Sequence, residues 1–145
     1  MMWRVVTVAA CTTAVCGCGS TKITATRLEH ALAPTFANLI ETQESMLGRP
    51  PLDVTSLRAS ASCHRLGPGS ATGGGGDWQC TLAWFAPGRR GPWFDSYELS
   101  VTTDGCFTAT SDGQEGHLGG PRLTLRDGTT ATNLLYAFDG CFDPT

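Results

Sequence analysis

Between Trp78 and Val101 the chain alternates apolar and polar residues on both sides of a single loop, a pattern that suits an antiparallel hairpin with one buried face. Trp78, Cys80, Leu82 and Trp84 alternate with Gln79, Thr81 and Ala83, and Tyr97, Leu99 and Val101 alternate with Glu98, Ser100 and Thr102. The intervening residues 84–94 are nearly symmetric about Arg89-Arg90. Folding at that centre sets Leu82 opposite Tyr97, Cys80 opposite Leu99 and Trp78 opposite Val101. One face is then apolar and the other polar, and a slip of one residue would exchange them.

The flanking segments extend the same logic. Asp104-Gly105 is a favoured two-residue turn. It predicts Thr103 opposite Cys106 and Val101 opposite Thr108, with Cys106 on the face of Leu99 and Val101. Asp127-Gly128 marks a third turn, between Leu123/Leu125 and residues 129–132. The apolar residues 134–138 fit either a strand or a helical turn. Asp139-Gly140-Cys141-Phe142 repeats Asp104-Gly105-Cys106-Phe107 letter for letter without matching flanks, and reads as a second turn of the same kind. Leu57, Ala59, Ala61 and Cys63 make a further candidate strand. The six glycines within residues 67–76 read as a connection between antiparallel strands, since no Lys-Ser/Thr pair follows to make a phosphate loop.

Upstream the period changes to helical. Leu28, Leu32, Phe36, Leu39 or Ile40, and Leu47 form one apolar stripe. Thr26-Arg27-Leu28-Glu29 has the capping-box pattern, and Gly48 followed by Pro50-Pro51 supplies a stop. Pro34 predicts a kink, or a helix that starts there. The expected fold is therefore α+β: an N-terminal helix packed on one antiparallel sheet of four to six strands.

The first residues carry a different message. Arg4 precedes an uncharged stretch, residues 5–15, too short to be a permanent membrane helix. The sequence Val15-Cys16-Gly17-Cys18-Gly19-Ser20 resembles the lipobox of bacterial lipoproteins. That resemblance implies diacylglycerol on the Cys18 thiol, cleavage just before it, and export. Cys16 is the poorer acceptor because bulky Val15 precedes it, and an ordinary signal peptide cut near Gly19, giving a secreted protein, is the competing reading. Residues 1–17 are thus read as a lipoprotein signal peptide, 18–25 as the lipidated cysteine and a tether, and 26–145 as a single domain.

Of seven cysteines, Cys11 and Cys16 leave with the leader and Cys18 is consumed by lipid. Cys63, Cys80, Cys106 and Cys141 remain, an even set in an exported chain, which favours two disulfides. Three connectivities are open, with the sequence neighbours, Cys63 with Cys80 and Cys106 with Cys141, preferred. His64 beside Cys63 raises the alternative of zinc, but no Cys-x-x-Cys spacing supports a metal site.

Catalytic signatures are missing. His30, His64 and His117 lack local partners for nucleophilic or metal chemistry, and no Gly-x-Ser-x-Gly, Ser-x-x-Lys or His-Glu-x-x-His motif occurs. No cofactor motif is present. A formal net charge of −3 gives no reason to expect nucleic-acid binding. The better functional candidate is the Arg89-Arg90 tip with its aromatic shoulders Trp84, Phe85, Trp93 and Phe94. Such a tip can bind anionic polymers or lipid headgroups, or anchor a partner, and it can equally be a solubilising turn.

The leader, the helix, the Cys-bearing strand, Trp78-Gln79-Cys80, residues 97–101, Asp104-Gly105-Cys106 and the closing residues 133–143 together resemble small lipoproteins of actinobacteria. The resemblance implies a lipid-anchored place on the extracytoplasmic face of the cell membrane and an α+β domain, and it carries over no catalytic residue. The sequence reading is a non-enzymatic binding or accessory module whose partners are the membrane, through the lipid, and an envelope protein or glycan. The alternative is a small envelope hydrolase with a site assembled from scattered polar residues. Replacement Cys18→Ala is expected to leave an uncleaved or soluble form that no longer partitions with membranes. Intact-mass analysis of the exported protein checks this: acyl mass on Cys18 and no free thiols are expected, whereas an unmodified amino terminus indicates plain secretion.

Overall fold

The structure, a computed structural model, describes residues 23–67, 74–113 and 117–144. Cys18 and the leader lie outside the described residues. Helix α1, Ala25–Met46, begins at Thr24, whose side chain accepts the N–H of Arg27 at 3.2 Å. The cap is thus two residues earlier than Thr26. Ile23 and Leu28, on either side of this first turn, are both fully buried, in the positions of a hydrophobic staple. The packed domain accordingly reaches back to Ile23. Glu29 does not close a capping box; its carboxylate accepts the N–H of Cys63 at 2.8 Å.

Pro34 lies inside the helix, which continues through it. Leu28, Leu32, Phe36 and Ile40 recur at four-residue spacing and are all buried, so one unbroken stripe faces the sheet. Loss of the Pro34 N–H costs a helical hydrogen bond, and burial of the stripe outweighs it. Beyond Met46 the N–H of Leu47 bonds back to Gln43, and Gly48 turns left-handed at φ +68°.

Next, Asp53 accepts the N–H and hydroxyl of Thr55 and caps a 3₁₀ turn, Val54–Leu57. Leu57 therefore lies in this turn, not in a strand, and is fully buried. Arg58 leaves it at φ +46°, ψ +40°. For a residue with a Cβ this left-handed corner costs about 1–2 kcal/mol.

Five strands make the main sheet in the order β1 (Ser60–Arg65), β2 (Gly76–Trp84), β3 (Trp93–Val101), β4 (Cys106–Ser111), β7 (Ala137–Cys141), every pair antiparallel. Strands β5 (Arg122–Thr124) and β6 (Thr130–Thr132) form a separate ribbon across the Asp127-Gly128 turn. Trp78, Cys80, Leu82, Trp84, Tyr97, Leu99, Val101, Phe107 and Ala109 are buried on the face that meets α1. Phe36 is central to this core, with ring centroids 6.1 Å from Trp84, 5.9 Å from Tyr97 and 6.2 Å from Phe138.

Three expectations about register need correction. Strands β2 and β3 expose the faces anticipated, but are displaced by two residues: Trp84 faces Trp93, Leu82 faces Asp95 and Cys80 faces Tyr97. An even displacement leaves both faces intact, and this one sets two indoles directly opposite, 4.8 Å apart edge to face. The β3–β4 connection has three residues, not two. Gly105 (φ +86°) adds a bulge, with Thr102 N–H on the Cys106 carbonyl at 2.8 Å and Gly105 N–H on the Thr102 carbonyl at 3.1 Å. Val101 therefore faces Phe107, and Cys106 points to the outer face, away from Leu99 and Val101.

The second Asp-Gly-Cys-Phe is not a turn. Asp139, Gly140 and Cys141 lie within β7, paired with Thr108, Phe107 and Cys106. Gly140 is needed for close approach, since a Cβ there would meet the Phe107 ring at 2.7 Å.

Both disulfides join facing residues on adjacent strands, Cys63–Cys80 and Cys106–Cys141. The first is inside and the second outside the sheet. Their loops span 17 and 35 residues, which corresponds to stabilisation of roughly 3 and 4 kcal/mol in the chain-entropy account. Gly140→Ala is expected to lower unfolding free energy by about 1–3 kcal/mol through this overlap. Gly91→Ala, where nothing lies within 4 Å, should be nearly neutral. Chemical denaturation of the two variants under non-reducing conditions makes the comparison.

Candidate functional site

The β2–β3 loop, residues 85–92, is held at both shoulders. Trp84 is buried, and its indole N–H donates to Asp95 Oδ2 at 2.7 Å. Asp95 is itself only 3% exposed, a carboxylate placed in the core by the same alternation that buries Tyr97 and Leu99. Trp93 is half-buried against Trp84 and carries the Arg89 guanidinium 5.0 Å from its ring centroid. Phe94 turns to the outer face and is 50% exposed. Arg89 and Arg90 are exposed at the apex, and neither forms an ion pair among the described residues.

Of the sequence-predicted group, Arg89 and Trp93 come together and Arg90 stands beside them. Trp84 serves the core, not the surface. Phe85 faces a residue that the sequence reading did not single out: Arg58, whose guanidinium lies 5.7 Å from the Phe85 ring centroid. The two segments are tied by the Phe85 N–H on the Leu57 carbonyl at 2.8 Å. No local pattern marks Arg58, because its position depends on a left-handed corner following a buried Leu57.

His117 also joins this end. Its ring stacks on Trp93 at 4.9 Å, 18° from parallel, and its Nδ1 lies 3.9 Å from Asp95 Oδ1. Buried Asn133 holds the segment in place: its Nδ2 donates to the carbonyls of Leu118 (2.5 Å) and Gly120 (2.8 Å), and its N–H donates to Pro121 at 3.0 Å. A histidine beside a carboxylate is a feature a hydrolase could use. Here, however, the carboxylate already holds an indole N–H, and the adjoining hollow lined by Asp95, Ser96, Ser111 and Leu118 is about 30 Å³, space for little more than water.

His30 and His64 are exposed and far from this cluster in sequence, and Cys63 is spent in a disulfide. Among the described residues no group of three His, Cys, Asp or Glu side chains is arranged to hold a metal. Comparison with family models, with curated proteins and with solved structures finds no match.

Tyr97 reports on the interior beneath the site. Its hydroxyl donates to the Leu135 carbonyl at 2.6 Å. Burial pushes the phenol well above its ordinary value of 10.0, and the Asp95 carboxylate adds to that. Below pH 10 the phenol is neutral in both folded and unfolded chains. Above it the unfolded chain ionises first, so stability is lost as pH rises toward the higher folded value. The loss is expected to approach about 1.4 kcal/mol per pH unit. Tyr97→Phe should be less stable at neutral pH for want of the hydrogen bond, yet lose less than the parent between pH 10 and 11.5 in urea titrations.

Proposed function

We propose that this chain is an exported, lipid-anchored envelope protein acting as a non-enzymatic binding or accessory module, with the Arg89-Arg90 end of the hairpin as its contact surface. The observation that carries the reading is a pair of exposed arginines with no acidic partner among the described residues, set on a braced hairpin of a net acidic chain. A solubilising turn would not require Trp84, Asp95, Trp93 and His117 to be packed beneath it. Two disulfides agree with an oxidising, extracytoplasmic compartment.

The placement of the chain's entry supports the same reading. Arg27, in the first turn of α1, donates to the Pro144 carbonyl, and Phe142 beside it bonds Gly105 of the β3–β4 turn. That turn and the β2–β3 loop lie at opposite ends of the nine-residue strand β3. At roughly 3.4 Å per residue this separates them by nearly 30 Å. The described chain enters the fold at the first end, so the arginines lie at the end of the domain remote from its entry.

The hydrolase alternative would use His117 and Asp95, and it is the weaker reading because Asp95 is engaged and the hollow is small. Replacing Arg89 and Arg90 together by Ala is expected to deplete the envelope glycans and proteins recovered by crosslinking in living cells, without loss of folding. Unchanged recovery from a folded variant would reduce the hairpin end to a turn.

A further inference from the structure

We infer that the hairpin end recognises an acidic polysaccharide, and that Arg58 is a third cationic member of its binding surface; this rests on the functional reading above. The structure places Arg58 at the base of the loop through the Leu57–Phe85 backbone hydrogen bond, with Arg89 and Arg90 at the apex. Arg58 and Arg89 each lie over an aromatic ring, in cation–π range. A guanidinium held over a ring keeps N–H groups able to grip a carboxylate or phosphate in two-point fashion. None of the three forms an ion pair among the described residues. The exposed carboxylate nearest in sequence, Asp53, is turned onto Thr55.

The Arg58 backbone points the same way. It occupies a left-handed conformation in which glycine would be at ease. A strained corner occupied by a long cationic side chain is a reason to look for function in that side chain. Arg58 also lines a groove of about 330 Å³ between α1 and the 3₁₀ turn, floored by Ala33, Pro34, Ala37 and Val54, with Asn38 and Thr55 as polar groups. Small apolar side chains with two hydrogen-bonding neighbours suit the mixed CH and hydroxyl surface of a sugar. Half-exposed Phe94 offers another flat apolar face beside the loop.

The alternative of a membrane surface fits less well. The apex, Pro87-Gly88-Arg89-Arg90-Gly91-Pro92, carries no large apolar side chain, Trp84 is turned into the core, and exposed Phe94 stands behind the apex within β3. In a chain of net charge −3, three arginines at one end give a local attraction for a polyanion that weakens with salt.

The test measures equilibrium binding of the purified mature protein in detergent to polygalacturonate, to fully methyl-esterified polygalacturonate, and to phosphatidylglycerol vesicles. Binding to the acidic polymer, weaker binding to the neutral ester, and loss of affinity with added salt are expected. Arg58→Gly is expected to weaken binding about two- to fivefold, the worth of one exposed charge contact, while its melting temperature stays level or rises. Arg89→Ala with Arg90→Ala should weaken it further. Equal binding of acid and ester, a preference for vesicles, or full affinity in Arg58→Gly would overturn the inference. If the double arginine variant depletes cellular partners but polygalacturonate is not bound, the hairpin end keeps its role and the ligand class is wrong.

Discussion

The bond between the Trp84 indole and the Asp95 carboxylate is the contact around which the rest of this molecule is arranged. It is buried, charge-assisted and 2.7 Å long. A carboxylate that is 3% exposed must be compensated by such contacts or be strongly destabilising. Asp95 accepts that bond within the observed pairing of β2 with β3, which sets Leu82 opposite it, Trp84 diagonal to it, and Trp84 facing Trp93. The same pairing turns Trp93 toward His117 and supports Arg89. One polar group in the core thus couples the register of the central hairpin to the surface at its end.

The remaining architecture protects that arrangement. Helix α1 lays Leu28, Leu32, Phe36 and Ile40 across the inner face, and Phe36 contacts both Trp84 and Tyr97. On the same side of the sheet, Asn133 uses both ends of its amide: Nδ2 gathers the Leu118 and Gly120 carbonyls, while Oδ1 accepts the N–H of Leu135 at 3.1 Å. Leu135 in turn supplies the carbonyl that satisfies the Tyr97 hydroxyl. A chain with few helices and many short strands needs such polar fasteners, because hairpins and ribbons of three residues bury little by themselves. The two cross-strand disulfides, one tying β1 to β2 and the other β4 to β7, brace both edges of the sheet.

Much of this was readable from residue order, and the failures have definite causes. Period-two alternation identified the faces of β2 and β3, and it is indifferent to an even displacement, so the two-residue shift left no trace in the pattern. At β3–β4 the left-handed bulge at Gly105 changed an even count to an odd one, which moved Cys106 to the outer face. The repeated Asp-Gly-Cys-Phe misled because glycine does two jobs here: backbone freedom at Gly105, and room for the Phe107 ring at Gly140. Asp95 was within reach, since extending the alternation of Tyr97 and Leu99 backwards by one step puts a carboxylate inside. Arg58 and His117 were not, for they join Phe85 and Trp93 only through contacts distant in the sequence.

The hairpin register positions Trp84, Trp93 and the surface above them, and nuclear Overhauser contacts between α-protons read it directly. In an antiparallel sheet, facing residues outside the hydrogen-bonded pairs bring their backbones closest together. Gln79 faces Glu98, and Thr81 faces Ser96. Strong α-proton contacts between Gln79 and Glu98, and between Thr81 and Ser96, are the result predicted. Contacts from Thr81 to Glu98 and from Gln79 to Ser100 would mean a hairpin folded about Arg89-Arg90 itself, with Trp84 no longer opposite Trp93, and would contradict the account.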